Sequence, residues 1–226
     1  MRLAIIIPTL NEEPSLRRIL PLALAAADEV VVSDGGSTDR TVEVARSLGA
    51  RVVTGPAGRG GQLNRGAAAT DGDILLFLHA DTILPEGAGR SVRAAVEAGA
   101  VGGAFLIRFD LDGFLYRLGA RVVNLRTRRA FMTLGDQAQF VTREAFQELG
   151  GFREWPILED LDFATRLRRR WTRRRLAVVP HPVVTSARRF ARKGPVRTVL
   201  KNWLIWLLFL LGVSPHRLAR LYRHIR

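Results

Sequence analysis

Three short stretches carry side chains that could do chemistry. His79 and Asp81 stand at the end of Ile74-Leu75-Leu76-Phe77-Leu78, an apolar run with Asp71-Gly72-Asp73 before it and Pro85 beyond it. Open α/β sheets bind ligands outside the carboxyl ends of their strands. A carboxylate there suits a hard divalent cation and, through it, a phosphate. Capping a helix that starts near Pro85 is the alternative task for Asp81. Asp34 opens Asp34-Gly35-Gly36-Ser37-Thr38-Asp39, where two glycines let the backbone turn sharply and approach a ligand. Glu159 and Asp160 head a segment that ends in Arg168, Arg169 and Arg170. Acid first and base last complements a helix dipole. That order does not require two adjacent carboxylates at the mouth.

The elements that position these groups follow from apolar patterning. Leu3 to Pro8 reads as a buried strand, Thr9 to Pro14 as the loop after it, and the apolar positions from Leu16 to Leu24 as a helix running to Ala27. Glu29 to Ser33 is a second strand, the segment through Val42, Val44, Ala45 and Leu48 a second helix closed by Gly49, and Arg51 to Thr54 a third strand. Strand, helix, strand, helix, strand implies right-handed βαβ units and a parallel sheet. Gly-x-Gly-x-x-Gly and the P-loop pattern are absent, which demotes dinucleotide and P-loop folds.

Gly55 to Gln62 reads as a glycine-rich loop with one arginine, Arg59, and Leu63 to Ala69 as a small-residue helix. The Ile74–Thr82 strand follows, then a helix over Glu86 to Ala98, a strand over Gly102 to Phe109 and a helix over Phe114 to Leu125. Arg126-Thr127-Arg128-Arg129 reads as a mobile basic loop, Gly135-Asp136-Gln137 as a polar turn entering a strand, and Trp155 as an exposed ring just before Glu159. Leu176 to Val179 reads as a late strand.

The 226 residues can bury one sizeable core, and no linker divides them. The absence of cysteine excludes disulfides and thiol, Cys-zinc or iron–sulfur chemistry. No export signal follows Met1, so the cytoplasm is the expectation. The net charge of +14 is lopsided: 17 of the 35 basic residues follow Asp162, after which no acidic residue occurs, leaving 18 basic against 21 acidic before it. Such a block suits phosphates or an anionic membrane surface. Trp203 to Val213 has no polar side chain, is too short to cross a bilayer, and carries tryptophan and flanking basic groups that suit an interfacial helix. Burial or a homodimer contact is the alternative for it.

Pro8-Thr9-Leu10-Asn11-Glu12-Glu13, Ser33 to Asp39, His79-Ala80-Asp81, Gly135-Asp136-Gln137 and Glu159-Asp160, in that order, resemble the inverting family 2 glycosyltransferases of the GT-A fold. The resemblance implies an α/β fold with a mostly parallel nucleotide-binding sheet over 1–190, and a helical membrane-associating or dimerising tail over 191–226. It implies a UDP- or GDP-linked sugar donor, its nucleotide held by Pro8, Thr9, Glu12, Asp34, Arg59, His79 and Ala80, and Mg²⁺ or Mn²⁺ on Asp81. His79 stands where the family usually has an aspartate, and a neutral imidazole can still ligate Mn²⁺. Asp160 matches the catalytic base and Glu159 its orienting neighbour; Gly135, Asp136, Gln137 and Trp155 fall on the acceptor and donor-sugar side. Arg188 and Arg189 are the expected diphosphate contacts. His181, between two prolines, is expected to be structural.

The implied activity is inverting transfer to a hydroxyl acceptor, lipid or lipid-linked, by a peripheral enzyme at the inner membrane face. The alternatives are a soluble small-molecule acceptor, since the short subgroup the chain resembles includes proteins assigned to arsenosugar biosynthesis, and a basic nucleic-acid-binding protein. Nucleic acid is not the expected partner, because the basic block is broken by an apolar helix and carries no recognised binding module.

Overall fold

A computed structural model describes residues 1–187 and 195–224. The first half runs β1 (Leu3–Thr9), α1 (Glu13–Ala26), β2 (Glu29–Asp34), α2 (Thr41–Ser47), β3 (Arg51–Thr54), α3 (Arg59–Ala68), β4 (Ile74–Phe77), β5 (Thr82–Ile83), α4 (Ala88–Glu97) and β6 (Gly102–Phe109). The second half runs α5 (Phe114–Ala130), β7 (Gln139–Thr142), α6 (Arg143–Glu148), α7 (Glu159–Arg170), β8 (Leu176–Thr185), α8 (Pro195–Leu210) and α9 (Pro215–His224). Short 3₁₀ turns occupy Gly135–Gln137 and Arg173–Arg175.

The eight strands form one sheet in the order β3-β2-β1-β4-β7-β6-β8-β5. β1 to β4 are mutually parallel, β7 runs against both β4 and β6, and β8 runs parallel to β6. The expected α/β, mostly parallel architecture is present. β1 is buried because helices cover both faces. Leu3, Ile5 and Ile7 join the core under α1 and α4, while Ala4 and Ile6 join the core under α3, α6 and α7. Parallel pairing puts Thr9 beside Asp34, so the loops after β1 and β2 leave from the same sheet edge.

Four segments depart from the sequence reading. β4 ends at Phe77 rather than Thr82: Leu78 still bonds Ile6, but Thr82 N–H closes a turn onto His79 C=O at 3.0 Å. The chain must turn there because Thr82 and Ile83 pair with β8 at the far edge of the sheet. No helix starts at Asp81, and α4 begins at Ala88.

The glycine-rich stretch is half helical, since α3 starts at Arg59. A Cβ on Gly60 would stand 2.3 Å from the Arg153 carbonyl oxygen, so the glycine serves close packing of α3 on the 151–155 loop. Arg126 to Arg129 belong to α5, which extends to Ala130 because its inward face continues through buried Thr127. β8 continues past Val179 to Thr185, with an irregularity opposite Phe105–Ile107 that leaves His181 exposed rather than packed.

Candidate active site

Each catalytic candidate is delivered to one sheet edge. The β4 tip carries His79, Ala80 and Asp81 on its turn. β7 is antiparallel to β4, with Gln139 opposite Phe77, so the Gly135–Gln137 turn that precedes β7 lies at that same tip. α7 brings Glu159 and Asp160 there with its first turn. Behind them the rings of Phe77, Phe152 and Phe163 lock α7 to β4: Phe152 stacks on Phe163 at 4.4 Å and meets Phe77 edge-on at 4.7 Å. Such pairs contribute about 0.5–1.5 kcal/mol each beyond the area they bury.

Gly135 is the meeting point. Its N–H donates to Asp160 Oδ2 at 2.7 Å. A Cβ at Gly135 would stand 2.3 Å from His79 Nε2 and 3.1 Å from Asp160 Oδ2, so the imidazole and the carboxylate converge on space that only glycine leaves open. Asp160 Oδ1 accepts from Leu161 N–H at 2.7 Å, which fixes the carboxylate at the helix start. Glu159 turns the other way. It is 1% exposed, and its Oε1 accepts from Arg59 Nη1 at 2.9 Å while its Oε2 is buried without a partner. Burial, then the Asp160 charge, raise its pKa, and Arg59 opposes them. Burial of Arg59 lowers its own pKa, but Glu159, Asp160 and Asp81 more than offset this, so the guanidinium holds its proton more tightly than usual. Arg59 thus faces the carboxylates at the candidate catalytic turn.

Asp136 lies beside this group with Oδ1 buried and without a partner. Burial, then the Asp160 charge, push it up to about 6, with Arg126 pulling the other way. Asp162 is spent on fold support: it pairs with Arg166 at 2.7 Å, and Arg166 donates onward to the Leu149 and Gly151 carbonyls.

On the nucleotide side, Asp34 is 1% exposed and its acceptor positions are filled by its own loop and the end of β1: Thr9 Oγ1 and Ser37 Oγ bond Oδ2, and the Gly36 and Ser37 amides bond Oδ1. Burial alone would raise its pKa, yet these donors hold it below the usual range. Its visible task is to shape the Gly35–Thr38 turn. Gln62, which no motif marks beyond its place after two glycines, is 5% exposed. Its amide donates to the Thr9 and Ser33 carbonyls at 2.8 Å and accepts from Gly58 N–H, joining both loops to α3. Pro8 and Glu12 are partly exposed along the same rim, and Ala80 is buried.

Two acceptor-side expectations change. Gln137 is 0% exposed; its amide donates to Phe105 C=O and Thr127 Oγ1 and accepts from Leu134 N–H. It holds the turn that carries Gly135 and Asp136 and cannot reach a substrate. Trp155 is half-buried rather than exposed, between the Arg153 guanidinium and the Phe209 ring of α8 at 6.0 Å. Arg188 and Arg189 lie outside the described residues.

Among the described residues no three His, Asp or Glu side chains are arranged to hold a cation unaided. Asp81 with His79 beside it supplies one or two ligands. That fits a Mg²⁺- or Mn²⁺-type ion whose remaining ligands come from phosphate oxygens and water.

Residues 4–153 match the family model described as Glycosyl transferase family 2. The chain belongs to that family. Among curated relatives of this family 2 chain, the glucosyl-3-phosphoglycerate synthase of Mycobacterium tuberculosis is 38% identical over 96 residues, 37% of this chain and 30% of the relative. The chain therefore aligns with about a third of that relative's length. Among solved structures, Staphylococcus aureus TarS 1-349 superposes with a TM-score of 0.65 at 18% identity, covering 82% of this chain and 60% of that one. The M. tuberculosis synthase in complex with Mn²⁺, UDP and glucosyl-3-phosphoglycerate superposes with a TM-score of 0.57 at 24% identity, covering 82% and 70%. The curled mixed sheet flanked by helices is the GT-A fold.

Proposed function

We propose that this family 2 chain transfers a sugar, with inversion, from a uridine diphosphate sugar to a hydroxyl of a small soluble acceptor. The observation that carries the reading is the convergence of His79, Gly135 and Asp160 at the β4 tip. Asp160, held by two backbone amides, takes the acceptor hydroxyl's proton as that oxygen attacks the anomeric carbon. The bond to the diphosphate breaks on the opposite face, which inverts the centre. Asp81 and His79 would hold a divalent cation, which when bound supplies positive charge for the departing diphosphate. Arg59 adds fixed positive charge beside the carboxylates, and Glu159 positions Arg59. A soluble acceptor is favoured because the curated relative named above is a glucosyl-3-phosphoglycerate synthase.

The test is donor turnover with Mn²⁺ across a panel of nucleotide sugars. Slow hydrolysis of a UDP-sugar is expected without acceptor. Asp160→Asn should lower transfer by about 10²- to 10⁴-fold, and Asp81→Ala should lose metal-dependent turnover. If both variants turn over donor like the wild type, the reading falls.

One observation favours added membrane docking. α5 exposes Phe114, Leu115, Leu118, Val122 and Leu125 along one face, and α8 exposes Leu204 and Leu207. Arg117, Arg121, Arg128 and Arg129 lie on or beside the α5 stripe by helical spacing, so its charge suits an anionic bilayer surface. No helix among the described residues is long and apolar enough to cross a membrane. Flotation with anionic and neutral vesicles decides: a chain that stays unbound with both ends this reading. Nucleic-acid binding is not proposed, because Arg166, Arg170, Arg173 and Arg175 are bonded to the chain's own carbonyls and carboxylates.

A further inference from the structure

Arg126 sits on α5 against the acceptor side of the site, and it is built as if something were meant to reach it. Its Nε and Nη2 are buried and have no hydrogen-bond partner. No ion pair joins it to any carboxylate among the described residues. Its guanidinium lies 4.8 Å from the centre of the Trp206 ring, so α8 roofs it with an aromatic face. Burial lowers the Arg126 pKa, while Asp136 and Asp160 are near enough to push it back up. Asp136 Oδ1, on the facing turn, is likewise buried without a partner.

A buried donor without an acceptor is costly, more so when charged, and folded chains rarely tolerate one without reason. Here an unsatisfied cation and an unsatisfied carboxyl oxygen occur together beside the candidate base. A ligand that reaches both must carry an oxyanion to accept from the guanidinium and a hydroxyl beside the neighbouring Asp136 and Asp160 carboxylates, both of which act on Arg126. The guanidinium fork matches a carboxylate or phosphate, and the Trp206 ring lies against one side of it.

We propose that Arg126 is the acceptor's anion subsite: the acceptor is a small hydroxylated carboxylate or phosphate, held by its oxyanion on Arg126 under Trp206 while its hydroxyl faces Asp160. This rests on the transferase reading for its use of Asp160, though not for the binding of the anion. The other source of an oxyanion is the donor's diphosphate, and the test separates the two.

The purified chain is titrated calorimetrically with 3-phosphoglycerate, glycerate and glycerol in the absence of nucleotide, and separately with UDP and Mn²⁺. The two anions are expected to bind and glycerol is not. Losing a charged hydrogen-bond pair costs about tenfold to a hundredfold in affinity. Arg126→Gln should therefore weaken the anions at least ten times more than it weakens UDP. Arg126→Lys, which keeps the charge and loses the fork, should fall between and serves if the glutamine variant does not fold. Wild-type chain that binds neither anion, variants that bind them undiminished, or a loss as large for UDP as for the anions would overturn the proposal. Arg126-dependent anion binding in a chain that never turns over a nucleotide sugar would sink the transferase reading and leave the subsite standing.

Discussion

The N–H of Gly135 donates to Asp160 Oδ2 at 2.7 Å, while the place where its Cβ would be is occupied by the His79 ring. One backbone position therefore sets both the candidate base and the imidazole at the β4 tip. Gly135→Ala would press a methyl group into His79 and the Asp160 carboxylate together. Since displacement of a reacting group by about 1 Å can cost about 10²-fold, kcat for transfer should fall by about that factor. The φ of Gly135 is not among the left-handed ones, so the methyl brings no backbone strain of its own and the melting temperature should move little. Full activity in the alanine variant would detach Gly135 from the chemistry.

Asp136 gives a pH signature. Its carboxyl is pushed up to about 6 in the folded chain, from an ordinary value of 3.8, by burial and then by Asp160. The folded state keeps the proton over a range where the unfolded state has lost it. The stability this contributes is complete below about pH 4 and is lost as pH rises through 6. Asp136→Asn removes the penalty at neutral pH. Its stability relative to wild type should rise by about 1–2 kcal/mol between pH 4 and pH 7.5, a figure reduced because the residue is partly exposed. Urea unfolding at the two pH values measures this, and an unchanged difference would show an ordinary carboxyl.

The parts legible in the sequence are those with a strong period or a sharp break. The first three strands and β6 fall where apolar runs and glycines put them; β1, β2 and β6 are buried along most of their length, which leaves little room for polar residues, and the half-exposed edge strand β3 is marked by Gly49 before it and Gly55 after it. His79, Asp81 and Asp160 stand out by type and position, and His79 and Asp160 meet at Gly135. What stayed hidden depended on partners far along the chain. Arg126 to Arg129 look like a solvated loop until Asn124 is seen gripping Ile107 through both backbone groups, with buried Thr127 below it. Gln62 closes what reads as a glycine-rich loop and Gln137 falls in what reads as an acceptor-side turn, yet both are buried brackets between segments 10 to 53 residues apart. Asp34 looks like a ligand contact, and its lone pairs are filled by Gly36, Ser37 and, from 25 residues away on β1, Thr9.

Arg59 and Glu159 are joined across 100 residues by a 2.9 Å bond, with the glutamate side chain 1% exposed and the arginine 43% exposed. Arg59→Met leaves Glu159 buried with both oxygens unsatisfied. The loss should be about 1–3 kcal/mol, the lower part being the more realistic because the arginine is partly solvated. It should be larger at pH 8 than at pH 5. With its cation gone, Glu159 rises further, and the folded state is then relieved only where the carboxyl can take up a proton. Adding Glu159→Gln should restore much of the loss. A double-mutant cycle at both pH values reads the coupling directly, and additive losses would show that the pair does not act as a unit.

Phe163 connects the core to catalysis. Its ring is 1% exposed, stacked on Phe152 at 4.4 Å and set edge-on to Phe77 at 6.3 Å, so it joins α7, which carries Asp160, to β4, which leads to His79 and Asp81. Phe163→Ala should cost about 3–5 kcal/mol, because the tight aromatic cluster cannot collapse into the space left. Phe163→Leu keeps most of the volume and should cost under about 1.5 kcal/mol. If the stack sets the distance between α7 and the β4 tip, the leucine variant should fold and bind UDP with near wild-type affinity while kcat drops about tenfold, since the nucleotide loops lean on β1, β2 and α3 instead. A leucine variant with unchanged kcat would show that the turn at Gly135 fixes the catalytic geometry without help from the aromatic cluster.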